Sequence, residues 1–153
     1  MKIKIDRQSE TEKIAQQLAT YVQLGDVIAL HGDLGVGKSV FARAFIRALT
    51  SDDEEVPSPT FTLVQIYESA KGDLYHFDVY RLENPDDGLE LGIEEAFSEG
   101  ISLIEWPSKL GSYVPWNCLN IEISPDGTHE TGRIMSFSSQ GTWMQRLKES
   151  SFG

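Results

Sequence analysis

The run Val27-Ile28-Ala29-Leu30-His31-Gly32-Asp33-Leu34-Gly35-Val36-Gly37-Lys38-Ser39 decides how this chain folds. Its first four residues are continuously apolar, the pattern of a short strand buried on both faces. Gly32, Gly35 and Gly37 then permit backbone conformations that other residues resist, so that successive N–H groups can converge on anionic oxygens. Beyond Lys38-Ser39, the residues Phe41, Ala42, Phe45, Ile46 and Leu49 recur on one face of a helix ending near Thr50. Strand, glycine loop and helix, in that order, is the setting in which Gly-x4-Gly-Lys-Ser cradles phosphate. The loop amides and the positive end of the helix dipole face the phosphates, the lysine adds a point charge, and the serine hydroxyl offers a ligand to Mg²⁺.

Working outward, Met1 to Asp6 reads as a short alternating strand without the apolar core or cleavage site of a secretory signal. Ser9 is a plausible cap for a helix running to Val22, with Ile14, Leu18 and Val22 inward. The prolines of Val56-Pro57-Ser58-Pro59-Thr60 forbid helix. Thr62 to Glu68 and Asp73 to Tyr80 read as strands joined by a turn at Ser69-Ala70-Lys71-Gly72. Asn84-Pro85-Asp86-Asp87 opens a helical stretch with Leu89, Leu91, Ile93 and Phe97 on its apolar face. Ile101 to Glu105 is a second buried strand, ended by Trp106-Pro107. Cys118 to Ser124 and Arg133 to Ser138 form an antiparallel pair around Pro125-Asp126-Gly127, and Thr142 to Lys148 a closing helix. The expected fold is α/β, a P-loop NTPase-like three-layer sandwich with a mostly parallel central sheet and antiparallel additions, in one domain over residues 1–153.

The chain carries 24 acidic against 13 basic residues, a net charge of -11. A chain that grips nucleic acid by itself presents a basic face, so the charge argues against that role. Cys118 is the only cysteine and is expected to be a small buried residue. No apolar run approaches the ~18 residues of a membrane span, which together with the missing signal points to the cytoplasm.

A P-loop site needs an acid at the end of a neighbouring strand to hold the metal or its water. Two apolar strands end so, Leu74-Tyr75-His76-Phe77-Asp78 and Ile101-Ser102-Leu103-Ile104-Glu105. Thr60, behind its rigid prolines, is positioned as a switch-loop threonine that reaches the γ-phosphate or the metal, or else lies in a plain turn. His76 lacks a second histidine at ligand spacing and is expected to be structural or hydrogen-bonding; His31 and His129 carry no signal. Trp106 is expected to pack on the core. Arg81 is the one candidate for an arginine finger. Neither Asn-Lys-x-Asp nor Asp-x-x-Gly occurs, against a guanine-specific GTPase, and the scattered basic residues argue against a small-molecule kinase with an arginine-rich lid. That kinase, and a nucleotide-gated binding module without turnover, stand as the alternatives to an ATPase.

The loop Gly32 to Ser39, Pro57-Ser58-Pro59-Thr60-Phe61-Thr62-Leu63, His76-Phe77-Asp78-Val79-Tyr80-Arg81, Leu91-Gly92-Ile93-Glu94-Glu95 and Ile104-Glu105-Trp106-Pro107 together resemble the TsaE (YjeE) family. The resemblance runs from about Ser9 to Pro107; beyond Gly111 no motif appears. It implies an ATP-binding and hydrolysing protein that acts with the partners TsaD and TsaB in placing threonylcarbamoyl on adenosine 37 of tRNA, touching the tRNA only through the complex. Gly35, Val36, Gly37, Lys38, Ser39 and Val40 would hold ATP, and Thr11 would lie near the adenine. Ser39 and Glu105 would take Mg²⁺. Lys38, Thr60 and Asp78 would be catalytic, Asp78 positioning the water, although the two carboxylates could exchange roles. Trp106 would lie near the nucleotide or a partner. Ser39 stands where the family more often has threonine, which also supplies a hydroxyl.

Overall fold

The computed structural model describes residues 1–152. Strands β1 (Lys2–Ile5), β2 (Val27–His31), β3 (Val64–Ser69), β4 (Gly72–Asp78), β5 (Ile101–Glu105), β6 (Leu119–Pro125) and β7 (Arg133–Ser138) form one sheet in the order β1-β7-β6-β2-β5-β4-β3. The middle is parallel: β2 pairs with both β5 and β6, and β4 pairs with β5. The antiparallel additions lie outside it, β3 on β4 and β1 and β7 beyond β6. This is the α/β sandwich expected from the strand–loop–helix signature.

Alternation along the strands divides the core between the two faces of the sheet. Ile28, Leu30, Leu74, Leu103, Ile121 and Phe137 join one cluster with helices α1 (Gln8–Ala19), α2 (Lys38–Leu49) and α4 (Trp143–Glu149). Val27, Ala29, Tyr75, Phe77 and Ile104 join the other, against α3 (Ile93–Glu99). Both faces of β2 and β5 are therefore covered, and every residue of the two strands except His31 is buried.

Two helical expectations are corrected. Arg7, in extended conformation, precedes the first turn of α1 without a side-chain cap, so Ser9 lies inside the helix rather than capping it. The buried face is Thr11, Ala15, Leu18 and Ala19, and Val22 is buried in the link beyond the helix. The stretch after Asn84 is not one helix. Asn84 accepts a hydrogen bond from the Asp86 amide and caps a 3₁₀ helix, Pro85–Leu91. Gly92 then turns left-handed (φ 80°) and α3 begins anew, which leaves Leu89 exposed while Ile93 and Ala96 are buried. Cys118 is buried, as expected. Among the described residues no helix is long and apolar enough to cross a membrane.

Candidate functional site

The glycine loop leaves the end of β2, the middle strand, and enters α2. Gly32 sits at φ 146°, and a Cβ there would lie 2.6 Å from the Ile123 carbonyl oxygen and 2.8 Å from Val36 Cγ1. No other residue fits. Gly37, at φ 117°, turns the chain into the first residue of α2, Lys38. From β7, Arg133 Nε donates to the Val36 carbonyl at 3.0 Å and braces the loop from behind.

Lys38 is nearly buried, with 5% of its surface exposed. Its ammonium donates to the Gly32 carbonyl at 2.6 Å and lies 3.4 Å from the centre of the Trp106 ring. Burial lowers its pKa from the usual lysine value, against the opposing pull of Glu105, Asp78 and Asp33. Both groups that hold the ammonium, a carbonyl and an aromatic face, are weaker partners for a cation than a phosphate oxygen.

The parallel register brings the two candidate acids together, because Asp78 of β4 stands directly opposite Glu105 of β5. Glu105 lies equally opposite Leu30, at the mouth of the loop. Both carboxylates are buried. Asp78 is tethered on both oxygens: the Tyr80 amide donates to Oδ1 at 3.1 Å, and the Thr60 hydroxyl to Oδ2 at 3.3 Å. Thr60 in turn shares a 2.6 Å hydrogen bond with Ser58. Glu105 Oε2 is 2.7 Å from His76 Nε2, so His76 is a hydrogen-bonding residue.

Gly35, Gly37, Lys38, Ser39, Val40, Thr60, Asp78, Glu105 and Trp106 line one cavity of about 280 Å³. A serine hydroxyl beside buried carboxylate oxygens is the hard-oxygen donor set that suits Mg²⁺. Thr11 and Val36 line a second cavity of about 220 Å³ that shares Gly35, Gly37 and Val40 with the first. Ile5, Arg7, Gln8, Glu130, Thr131 and Arg133 complete its wall. The last three come from the β6–β7 connection and β7, a region with no motif; their approach to the loop is created by strand order alone.

One side chain follows the place implied by the family resemblance rather than the core packing expected of its type, and another lies elsewhere than expected. Trp106 adopts a left-handed backbone (φ 62°, ψ 48°), so its ring only partly packs on the second cluster and instead covers Lys38 and approaches the Tyr80 ring at 4.7 Å. Arg81 stacks over Phe61 at 4.3 Å and is not part of the cavity wall, where Lys38 is the one cationic side chain among the described residues.

Comparison with known proteins shows the family. A family model described as threonylcarbamoyl adenosine biosynthesis protein TsaE matches residues 5–134. A Rickettsia felis protein named tRNA threonylcarbamoyladenosine biosynthesis protein TsaE is 40% identical over 102 residues, 67% of this chain and 60% of its own length. The Bacillus subtilis protein of the same name is 38% identical over 141 residues, 92% of this chain and 86% of its own. The crystal structure of Bacillus subtilis YdiB superposes with a TM-score of 0.77 at 31% identity, covering 98% of this chain and 92% of that one. The chain thus spans about 60% of the length of the Rickettsia relative but most of the Bacillus one. On a match over residues 5–134 and these identities, the chain belongs to the TsaE family of threonylcarbamoyl adenosine biosynthesis proteins.

Proposed function

We propose that this protein is an Mg²⁺-dependent ATPase whose turnover serves TsaD and TsaB in the threonylcarbamoyl modification of adenosine 37 in tRNA. The observation that carries the reading is the convergence of Lys38, Ser39, Thr60, Asp78 and Glu105 on one cavity at the mouth of the glycine loop. Lys38 exchanges the Gly32 carbonyl for β- and γ-phosphate oxygens, and the loop amides from Gly35 to Ser39 meet the remaining charge. Thr11 and Val40 lie in the adjoining cavity, where the rest of the nucleotide is accommodated. Ser39 and Glu105 would hold Mg²⁺, which would supply charge neutralisation at the γ-phosphate.

Asp78 orients the attacking water. Its carboxylate is held by the Tyr80 amide and by Thr60, so it is fixed in direction before nucleotide arrives. Lys38 must answer the negative charge of the transferring phosphoryl without a second cation in the cavity wall. Turnover by the isolated chain is therefore slow, and a partner that contributes a cation accelerates it, an effect worth 10³–10⁵ where an arginine is supplied. The acidic surface fits a chain that reaches RNA only through proteins.

The test is phosphate release from ATP with and without TsaD and TsaB. A rate that rises when the pair is added supports the reading, and equal rates sink it.

A further inference from the structure

We propose that His76 is a positioning residue for Glu105, fixing Oε2 so that Oε1 is the oxygen presented to a divalent cation beside Ser39. The inference rests on the ATP and Mg²⁺ reading above.

Side chains alternate along β4, so His76 and Asp78 share a face, and the register places Glu105 of β5 on it opposite Asp78. His76 therefore lies one pleat behind Asp78 and diagonal to Glu105. Its apolar neighbours on that face, Leu74, Ile101 and Leu103, are fully buried, and Gln65 of β3 stands opposite it. His76 itself is only 2% exposed. Among the described residues its ring has one polar partner, the Glu105 oxygen at 2.7 Å, while Nδ1 is buried without any. A carboxylate only accepts, so the proton of this contact belongs to Nε2.

The ring leaves Nδ1 without a partner among the described residues, so its polar contribution is the single bond from Nε2 to one oxygen of a buried carboxylate. The two acids explain that bond. Asp78 is short and held at both oxygens by Tyr80 and Thr60. Glu105 is longer by a methylene, and His76 is the only group among the described residues that hydrogen-bonds its carboxylate. Without that contact the carboxylate can swing about its side-chain bonds, and Oε1 loses its aim. The same division, one oxygen for the metal and one for an outer hydrogen bond, makes partners of ligating carboxylates matter to metal affinity.

The experiment is calorimetric titration of the full-length protein with ATP, once with Mg²⁺ and once with EDTA, the ratio of the two affinities isolating the cation. His76→Leu keeps volume and removes the donor. Its affinity in EDTA should stay within about twofold of the parent, while the gain from Mg²⁺ falls about 10- to 100-fold. His76→Gln, whose amide nitrogen reaches roughly to the Nε2 position, should recover most of the gain. An undiminished gain in His76→Leu overturns the proposal. If that variant does not fold, His76→Gln against His76→Asn decides, because the asparagine amide falls one bond short; equal gains in the two overturn it as well. A parent that binds no ATP in either buffer would instead remove the ATP reading itself, a distinguishable outcome.

Discussion

At the residue scale the site holds two carboxylates side by side in one wall, and their tethers separate their tasks. Asp78→Asn keeps a side chain that can still bond Tyr80 and Thr60 but weakens the acceptor for water. It should lower kcat by about 10²–10⁴ and leave Mg·ATP affinity nearly unchanged. Glu105→Gln should do the reverse in binding, removing the Mg²⁺-linked part of ATP affinity; single-turnover kinetics beside equilibrium titration separates the two. Lys38→Ala removes the one cation of the cavity wall and should reduce ATP affinity in EDTA as well as in Mg²⁺, which neither acid variant does. These residues were legible in the sequence because each sits at a local landmark, the glycine loop or the end of an apolar strand. Trp106 was placed near the site only by the family resemblance, its residue type suggesting the core, and the position of Arg81 was not legible. The left-handed turn at Trp106 and the stacking of Arg81 on Phe61 depend on backbone angles and neighbours that composition does not encode.

At the scale of elements, the glycine loop works because β6 passes close behind it. Gly32 packs against the Ile123 backbone, whereas a Cβ at Gly35 meets nothing within 4 Å. Both have positive φ, at 146° and 78°. Gly35→Ala should therefore cost only the backbone strain, about 1–2 kcal/mol. Gly32→Ala must in addition push a strand carbonyl aside and should cost about 1–3 kcal/mol more, read as a lower midpoint in urea unfolding. The strands were legible from their apolar runs, and α2 from its period. The start of α1 and the break at Gly92 were missed for one reason. Ser9 and the Asn84 stretch carry good helix signals, but packing decided which turn was buried and where the chain had to reverse hand.

At the scale of the whole molecule, the segment that carried no motif closes the structure. α4 inserts Trp143 and Leu147 into the larger cluster, and Phe152 follows them, meeting Phe137 edge-on with ring centres 5.3 Å apart. Arg146 reaches back to Asp26, just before β2, with 2.6 Å and 3.3 Å bonds to its two oxygens. The C-terminal helix is thus fastened to the strand that launches the glycine loop, although the family match ends at residue 134. Its sequence announced only a short helix, because a helix of this length shows neither its partner nor its burial. Deleting residues 140–153 would expose the side chains that Trp143, Leu147 and Phe152 cover and lose their own burial. At about 1.5–3 kcal/mol for each buried apolar side chain, the loss is of the order of a small domain's entire stability. The shortened chain should therefore lose cooperative thermal unfolding, whereas Arg146→Ala, which loses the Asp26 pair, a bond to the Tyr21 carbonyl and stacking over Trp143 but keeps the apolar burial of α4, should lower Tm by less. If calorimetry instead found the shortened chain melting as the full one does, the strands and α1–α2 would form a self-sufficient unit, and α4 would be a cover whose purpose lies outside stability.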